Sequence, residues 1–206
     1  MEANRYLYGA SGHCKVIIDI LKRNQKEISA IFDDKPLMDC LNGIPVLQAS
    51  KMNISSNDEM IVSIGNNNIR KKIATKMQAI FLTAIHDKAI ISENSKIGNG
   101  SVVMAGGIIN TDVEIGNHCI INTGAVIDHD CKIDDYCHIS PNVSLAGNVN
   151  VGEGAHIGIG ACVIQGIKIG KWTTIGAGAV IVKDIPDFAI VVGNPGKIIK
   201  YNIVNE

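Results

Sequence analysis

In the stretch GAVIDHDCKI, Gly124–Ile133, a histidine stands between two aspartates: His129 between Asp128 and Asp130. An imidazole titrates near pH ~6.5 and accepts a proton at neutral pH. An amine must be neutral to attack a carbonyl carbon, and a base that takes its proton contributes about 10²–10⁴ in rate. A carboxylate beside such a base orients the ring and stabilises the imidazolium that forms. Spacing leaves both aspartates open for that role, because neighbours on an extended strand point opposite ways. A plain exposed histidine is the alternative, and it applies equally to His13, His86, His118, His138 and His156.

A second set of candidates lies near the start. YLYGASGH places Gly9 and Gly12 in a GxxG turn that follows a strand pattern and opens a helix pattern. Free N–H groups and the positive end of the helix dipole suit a phosphate there. GxxG is shorter than GxGxxG, and a tight turn without ligand accounts for it as well. IFDDK closes a second strand on Asp33 and Asp34, whose carboxylates are able to accept from ribose hydroxyls or a uracil N–H. VSIGNNNIRKK closes a third strand on Gly65 and enters a helix. Strand C-termini of parallel sheets are where ligands gather.

These residues need two kinds of scaffold. Across residues 3–85, RYLY, SAIF and MIVSIG read as buried parallel strands, CKVIIDILKRN as an amphipathic helix, and NNNIRKKIATKMQ as a second helix capped by an Asn. Residues 1–86 are therefore expected to form a Rossmann-like α/β domain. From Ile91 the period changes to six. Sixteen consecutive sixth positions, Ile91 to Ile181, are Ile, Leu or Val. Four residues after each stands a mostly small side chain, such as Ser101, Cys119, Ala125, Cys137 and Ala161. A hexapeptide period marks a parallel β-helix, so residues 87–206 are read as a triangular column of about five coils plus a tail. Gly in the second position of IGNG, VGEG or IGAG is expected to ease the turns. His138 and His156, eighteen residues apart, fall one coil apart on the same edge.

Composition removes other classes. The net charge of −1 leaves no basic footprint for nucleic acid and no cationic face for a membrane. No apolar run approaches the ~20 residues of a membrane span. The opening MEANRYLYGASGH has no signal-peptide pattern, which places the chain in the cytoplasm. The six cysteines form no CxxC pair, and no metal site is expected.

The hexads resemble those of the hexapeptide-repeat acyltransferases, whose column is a left-handed β-helix. The run AVIDHDCKIDDYCHISPNVSLAGNVNVGEGAHIGIGACV resembles the bacterial sugar N-acetyltransferases that modify a UDP-linked 4-amino-4,6-dideoxy sugar, as in bacillosamine synthesis. It is also similar to perosamine N-acetyltransferases and sialic-acid O-acetyltransferases. The resemblance spans about residues 5–200, including IGNNNIRKKI and the VVGNPGK tail. It implies that His129 is the general base and Asp130 raises its basicity, with Asp where some members carry Glu. It implies that His138 contacts acetyl-CoA and that the backbone at Ile159 and Ala177 lies along the pantetheine track. It assigns the nucleotide-linked amino-sugar to Ser11, Gly12, His13, Asp33, Asp34 and Gly65, and it implies a homotrimer. The zinc-binding β-helical carbonic anhydrases carry histidines five apart, a spacing absent here. The rival readings are a sugar O-acetyltransferase of the sialic-acid type and a non-catalytic nucleotide-sugar-binding protein.

Overall fold

The computed structural model describes residues 3–202; the ends of the two expected domain ranges, 1–2 and 203–206, lie outside the described residues. The first part is an α/β unit of β1 (Arg5–Tyr8), α1 (Gly12–Arg23), β2 (Ala30–Asp33), β3 (Cys40–Leu41), β4 (Ile44–Gln48), β5 (Glu59–Val62), α2 (Asn67–Ala74) and β6 (Ile80–Phe81). The sheet order is β3-β4-β2-β1-β5-β6. β1 lies parallel between β2 and β5, so chain order reverses across it, and its C-terminal edge opens a crevice between the loops after β1 and β5. α1 buries Cys14, Ile17, Ile18 and Leu21 on the sheet and carries Lys22 and Arg23 in its last turn, which complements the helix dipole. At the start of α2 the Asn66 side chain accepts from the Ile69 N–H at 3.0 Å. The β3–β4 hairpin adds to the expected strand–helix alternation. Its Asn42–Gly43 turn has both residues at positive φ, which this residue pair favours.

The second part is a left-handed β-helix of two-residue strands. It begins with Ala84–Ile85, which pairs with Val102–Val103, one hexad before Ile91. The first face runs upward through Val102–Val103, Ile120–Ile121, His138–Ile139, His156–Ile157 and Thr174–Ile175. The second runs from Ile90–Ile91 to Val180–Ile181, and the third from Lys96–Ile97 to Lys168–Ile169. Strand neighbours are eighteen residues apart throughout, as in His138↔His156. The aliphatic rail points inward, and from Val103 to Ile181 each of its members is nearly or fully buried. The small residues four positions later are buried as well, among them Cys119, Ala125, Cys137, Ala155 and Ala161, so they form a second inward rail. A lone hexad has no face to cover its rail; each coil is stable because it stacks on the next.

The turn glycines correct one expectation. Left-handed backbone falls on the fourth position of the hexad: every sixth residue from Gly100 to Gly178 has positive φ, including Asp112, His118, Asp130, Tyr136 and Trp172. Glycine in the second position has another cause. A Cβ on Gly158 would stand 2.6 Å from the Ile175 carbonyl oxygen in the coil above, so closeness of coils selects glycine there.

The α/β unit sits on the lower half of the first face. Val102, Met104 and Ile120 share one buried cluster with Leu7, Ile17, Ile20 and Ile61. Higher on that face, His138, His156 and Thr174 point out toward the loop after β5 and the start of α2. Outward positions of the second face are chiefly apolar (Ile90, Ile108, Val126, Ser144, Cys162, Val180), whereas those of the third are Lys96, Glu114, Lys132, Asn150 and Lys168. At the top, Ala189–Val192 joins the first face and pairs antiparallel with Lys197–Tyr201.

Candidate active site

His129 occupies the turn between the second and third faces, with its side chain 55% exposed. The positive φ of Asp130 bends the chain so that consecutive side chains meet: Asp130 Oδ2 lies 2.8 Å from His129 Nδ1. Turn geometry thus settles what strand spacing left open. Asp128 is committed elsewhere. Its Oδ1 accepts from Asn110 Nδ2 and from the His129 backbone N–H, both at 2.8 Å, and its other oxygen is 4.0 Å from Nε2. The hydrogen bond to Asp130, followed by the charge of Asp128, raises the imidazole pKa above its ordinary value. The ring lies across Gly147 of the next coil, where a Cβ would come 2.6 Å from Cε1. Glycine at 147 is what lets the ring rest there. With Nδ1 held by a carboxylate, Nε2 is the nitrogen free to take a proton.

The second set of residues surrounds a groove of about 890 Å3 between the β5–α2 loop and the upper first face, lined by Gly65, Asn66, His138, His156, Trp172 and Phe188 among others. His138 and His156 stack with ring centroids 4.7 Å apart and planes 6° from parallel. Asn122 Nδ2 lies 3.1 Å from His138 Nε2, and Ser140 Oγ lies 2.9 Å from His156 Nε2. Burial, then His156 and the Arg70 charge, push the His138 pKa down to about 3. Burial and Arg70 likewise lower His13 to about 4 and depress His156. These imidazoles are neutral at physiological pH and serve as hydrogen-bonding groups.

The other expected contacts spread along the crevice. Ser11 and Gly12 are exposed at the start of α1, and His13 in its first turn has a buried Nε2 with no hydrogen-bond partner among the described residues. Asp33 accepts from the Ala10 N–H at 2.8 Å and from the Lys35 N–H at 2.9 Å, so it shapes the turn after β1. Asp34 accepts from the Tyr8 hydroxyl at 2.6 Å. The Gly65 carbonyl accepts from Arg70. Ile159 and Ala177 are exposed one coil apart at the corner between the first and second faces, where the Ile159 carbonyl accepts from the Gly178 N–H at 2.8 Å. Among the described residues no cluster of three His, Cys, Asp or Glu side chains is placed to hold a metal.

The structure therefore brings His13, Gly65 and His138 together, and it keeps His129 apart from them. His129 lies on the corner of the triangular column opposite the first face, so one chain does not present its own groove to its own His129. Sequence reading also passed over Arg70, which lies fully buried between the two parts. The signal around it, IRKK, is that of a solvated basic helix face.

An α/β unit docked on a left-handed column of hexads, with an acid-paired histidine on a corner, defines a hexapeptide-repeat transferase. Residues 5–77 match the family described as PglD N-terminal domain, and residues 112–147 match bacterial transferase hexapeptide (six repeats). UDP-N-acetylbacillosamine N-acetyltransferase of Bacillus subtilis is 40% identical over 111 residues; that alignment spans 50% of this chain and 51% of the enzyme. Perosamine N-acetyltransferase of Caulobacter crescentus, solved with CoA and GDP-perosamine, is 38% identical with a TM-score of 0.90, covering 96% of this chain and 97% of that one. The acetyltransferase domain of PglB from Neisseria gonorrhoeae, solved with acetyl coenzyme A, is 36% identical with a TM-score of 0.90, covering 97% and 100%. The chain belongs to this family of hexapeptide-repeat sugar N-acetyltransferases.

Proposed function

We propose that the protein transfers acetyl from acetyl-CoA to the 4-amino group of a UDP-linked 4-amino-4,6-dideoxy sugar, with His129 as base and a homotrimer as the working unit. The observation that carries this reading is the His129–Asp130 pair, 2.8 Å apart on an exposed corner, with the ring's proton affinity raised. The neutral amine attacks the thioester carbonyl. As the C–N bond forms, His129 Nε2 accepts the amine proton; the C–S bond then breaks, CoA leaves as the thiolate, and the imidazolium returns the proton to it. Asp130 keeps Nδ1–H pointed away from the substrate and stabilises the imidazolium. His138, neutral, offers a hydrogen bond to acetyl-CoA, and the exposed Ile159–Ala177 corner offers an apolar contact and backbone groups to the pantetheine arm. Ser11, Gly12, His13, Asp33, Asp34 and Gly65 line the sugar-nucleotide crevice in this reading.

Two features support assembly. His129 and the groove are on opposite sides of one column, so a site containing both needs two copies. The outward apolar strip of the second face, with Ile90 66% exposed and Ile108, Val126 and Val180 partly exposed, is suited to face a second column. The same reading places the reaction in the cytoplasm, where acetyl-CoA is at hand. Among the described residues no helix is long and apolar enough to cross a membrane.

The test is thiol release from acetyl-CoA with UDP- and GDP-linked 4-amino sugars and with sialic acid as acceptors. Turnover with the UDP-linked amine is the expected result. Preference for sialic acid replaces N-transfer with O-transfer, preference for the GDP sugar replaces the nucleotide, and failure to bind acetyl-CoA by calorimetry makes the protein a binding module.

A further inference from the structure

We propose that Arg70 is a positioning residue for this site, one that locks the Gly65 loop onto the coil of His138 and sets a fixed positive charge behind the groove wall for a nucleotide diphosphate. The inference rests on the nucleotide-sugar reading above. Arg70 on α2 is 1% exposed. Its Nη1 donates to the carbonyls of Ile64 at 3.0 Å and Gly65 at 3.2 Å, in the loop after β5. Its Nε donates to the His118 carbonyl and its Nη2 to the Tyr136 carbonyl, both at 2.8 Å, in two successive coils of the column. Nη2 also holds the Asn67 side chain at 2.8 Å, and Asn67 in turn donates to the Gly154 carbonyl at 3.0 Å. One planar fork thus ties the substrate loop to two coils, a geometry that a lysine does not reproduce.

None of these acceptors is a carboxylate. A buried cation paired only with neutral carbonyls is a costly fastener, and apolar packing of similar volume holds two parts together at least as well. What the charge adds is a positive potential at the groove. The groups around it are His13 from α1 and, from the column, His118, Cys119, Tyr136, Cys137, His138 and His156; every one of those imidazoles is held neutral. The remaining charge is free to attract an anion in the crevice between the loops after β1 and β5. The same potential disfavours an ammonium there and keeps an acceptor amine in its attacking form.

The experiment compares Arg70→Met and Arg70→Lys with wild type in two readouts. In steady-state kinetics, Met raises KM for the UDP-linked amino sugar by about 10- to 100-fold, the worth of one or two charge-assisted hydrogen bonds. Lys raises it less, and KM for acetyl-CoA stays within about twofold of wild type. In amide hydrogen exchange without substrate, the segment 64–67 exchanges faster in both variants while residues 129–139 are unchanged. A parallel rise of both KM values, or wild-type exchange in the loop, overturns the proposal. Because exchange needs no acceptor, absence of acetyl transfer by wild type overturns the assigned reaction and leaves the Arg70 result readable. Should the Met variant fail to fold, Lys alone carries the comparison.

Discussion

Two histidine sites on one column have opposite proton affinities. At the His129 corner the ring is exposed, paired with Asp130 at 2.8 Å, and raised in pKa. On the upper first face His138 is half-buried against His156, near the Arg70 charge, and lowered to about 3. The backbone is the same repeat in both places. Position along the hexad and the sign of the nearest charge make the difference: His129 at the third position stands in a turn beside carboxylates, and His138 at the strand position faces the α/β unit. One ring binds a proton more readily than a free imidazole; the other stays uncharged at neutral pH.

The largest effect expected from breaking this contrast is at the proposed base, His129. His129→Gln should lower kcat by about 10²–10⁴ while acetyl-CoA affinity, read by calorimetry, stays at the wild-type value. Gly147→Ala comes next. Its Cβ would collide with the His129 ring at 2.6 Å, and displacement by about 1 Å costs on the order of 10² in rate. Mixing then tests the separation of the sites. His129→Ala and His138→Ala proteins, each impaired, should recover about one quarter of wild-type activity when refolded together, because one subunit pairing in four joins an intact corner to an intact groove. No recovery would place both residues in one chain's site.

Asp130→Asn sharpens the comparison by removing the carboxylate from one side. The base must be neutral to act, so kcat/KM falls on the acid side through the His129 pKa, which Asp130 raises. The variant should move that limb to lower pH and reduce kcat by about tenfold. The smallest effect is on stability. His13, His118 and His138 are lowered by burial to about 4, 4 and 3, so the unfolded chain binds their protons first as pH falls below ~6.5. Their contribution is present above that pH and lost as pH falls through their folded values, about 4 to 3; His129 acts with the opposite sign, its contribution full below ~6.5 and lost as pH rises through its raised pKa. Thermal unfolding should therefore shift to lower temperature between pH 7.5 and pH 5, each kcal/mol lost lowering Tm by about 2–4 °C for a chain of this size. His118→Phe, set between Phe81 and Tyr136, should flatten that slope.

The column was legible because its period is carried by identity alone: Ile, Leu or Val at every sixth position has one geometric meaning. The turn that joins His129 to Asp130 was not, since a left-handed residue leaves no mark when it is Asp, His, Tyr or Trp instead of Gly. Arg70 was hidden for a related reason. Its neighbours Lys71 and Lys72 share its charge, and only the docking of α2 on the column separates the buried guanidinium from its partly exposed neighbours; Lys71, for one, pairs with Glu153 near the surface. The split between His129 and the groove was likewise out of reach, because it depends on which of three faces each hexad occupies, counted modulo eighteen.

That eighteen-residue recurrence has a consequence for how such molecules change length. Excising or adding one complete coil would return each later side chain to its own face and shorten or extend the shaft by ~4.8 Å, the spacing between paired strands. A deletion of six or twelve residues would instead move every later side chain to a different face and, placed before His138, carry that ring off the side where the α/β unit rests. Reach along the shaft is thus available only in whole steps, like the notches of a ratchet.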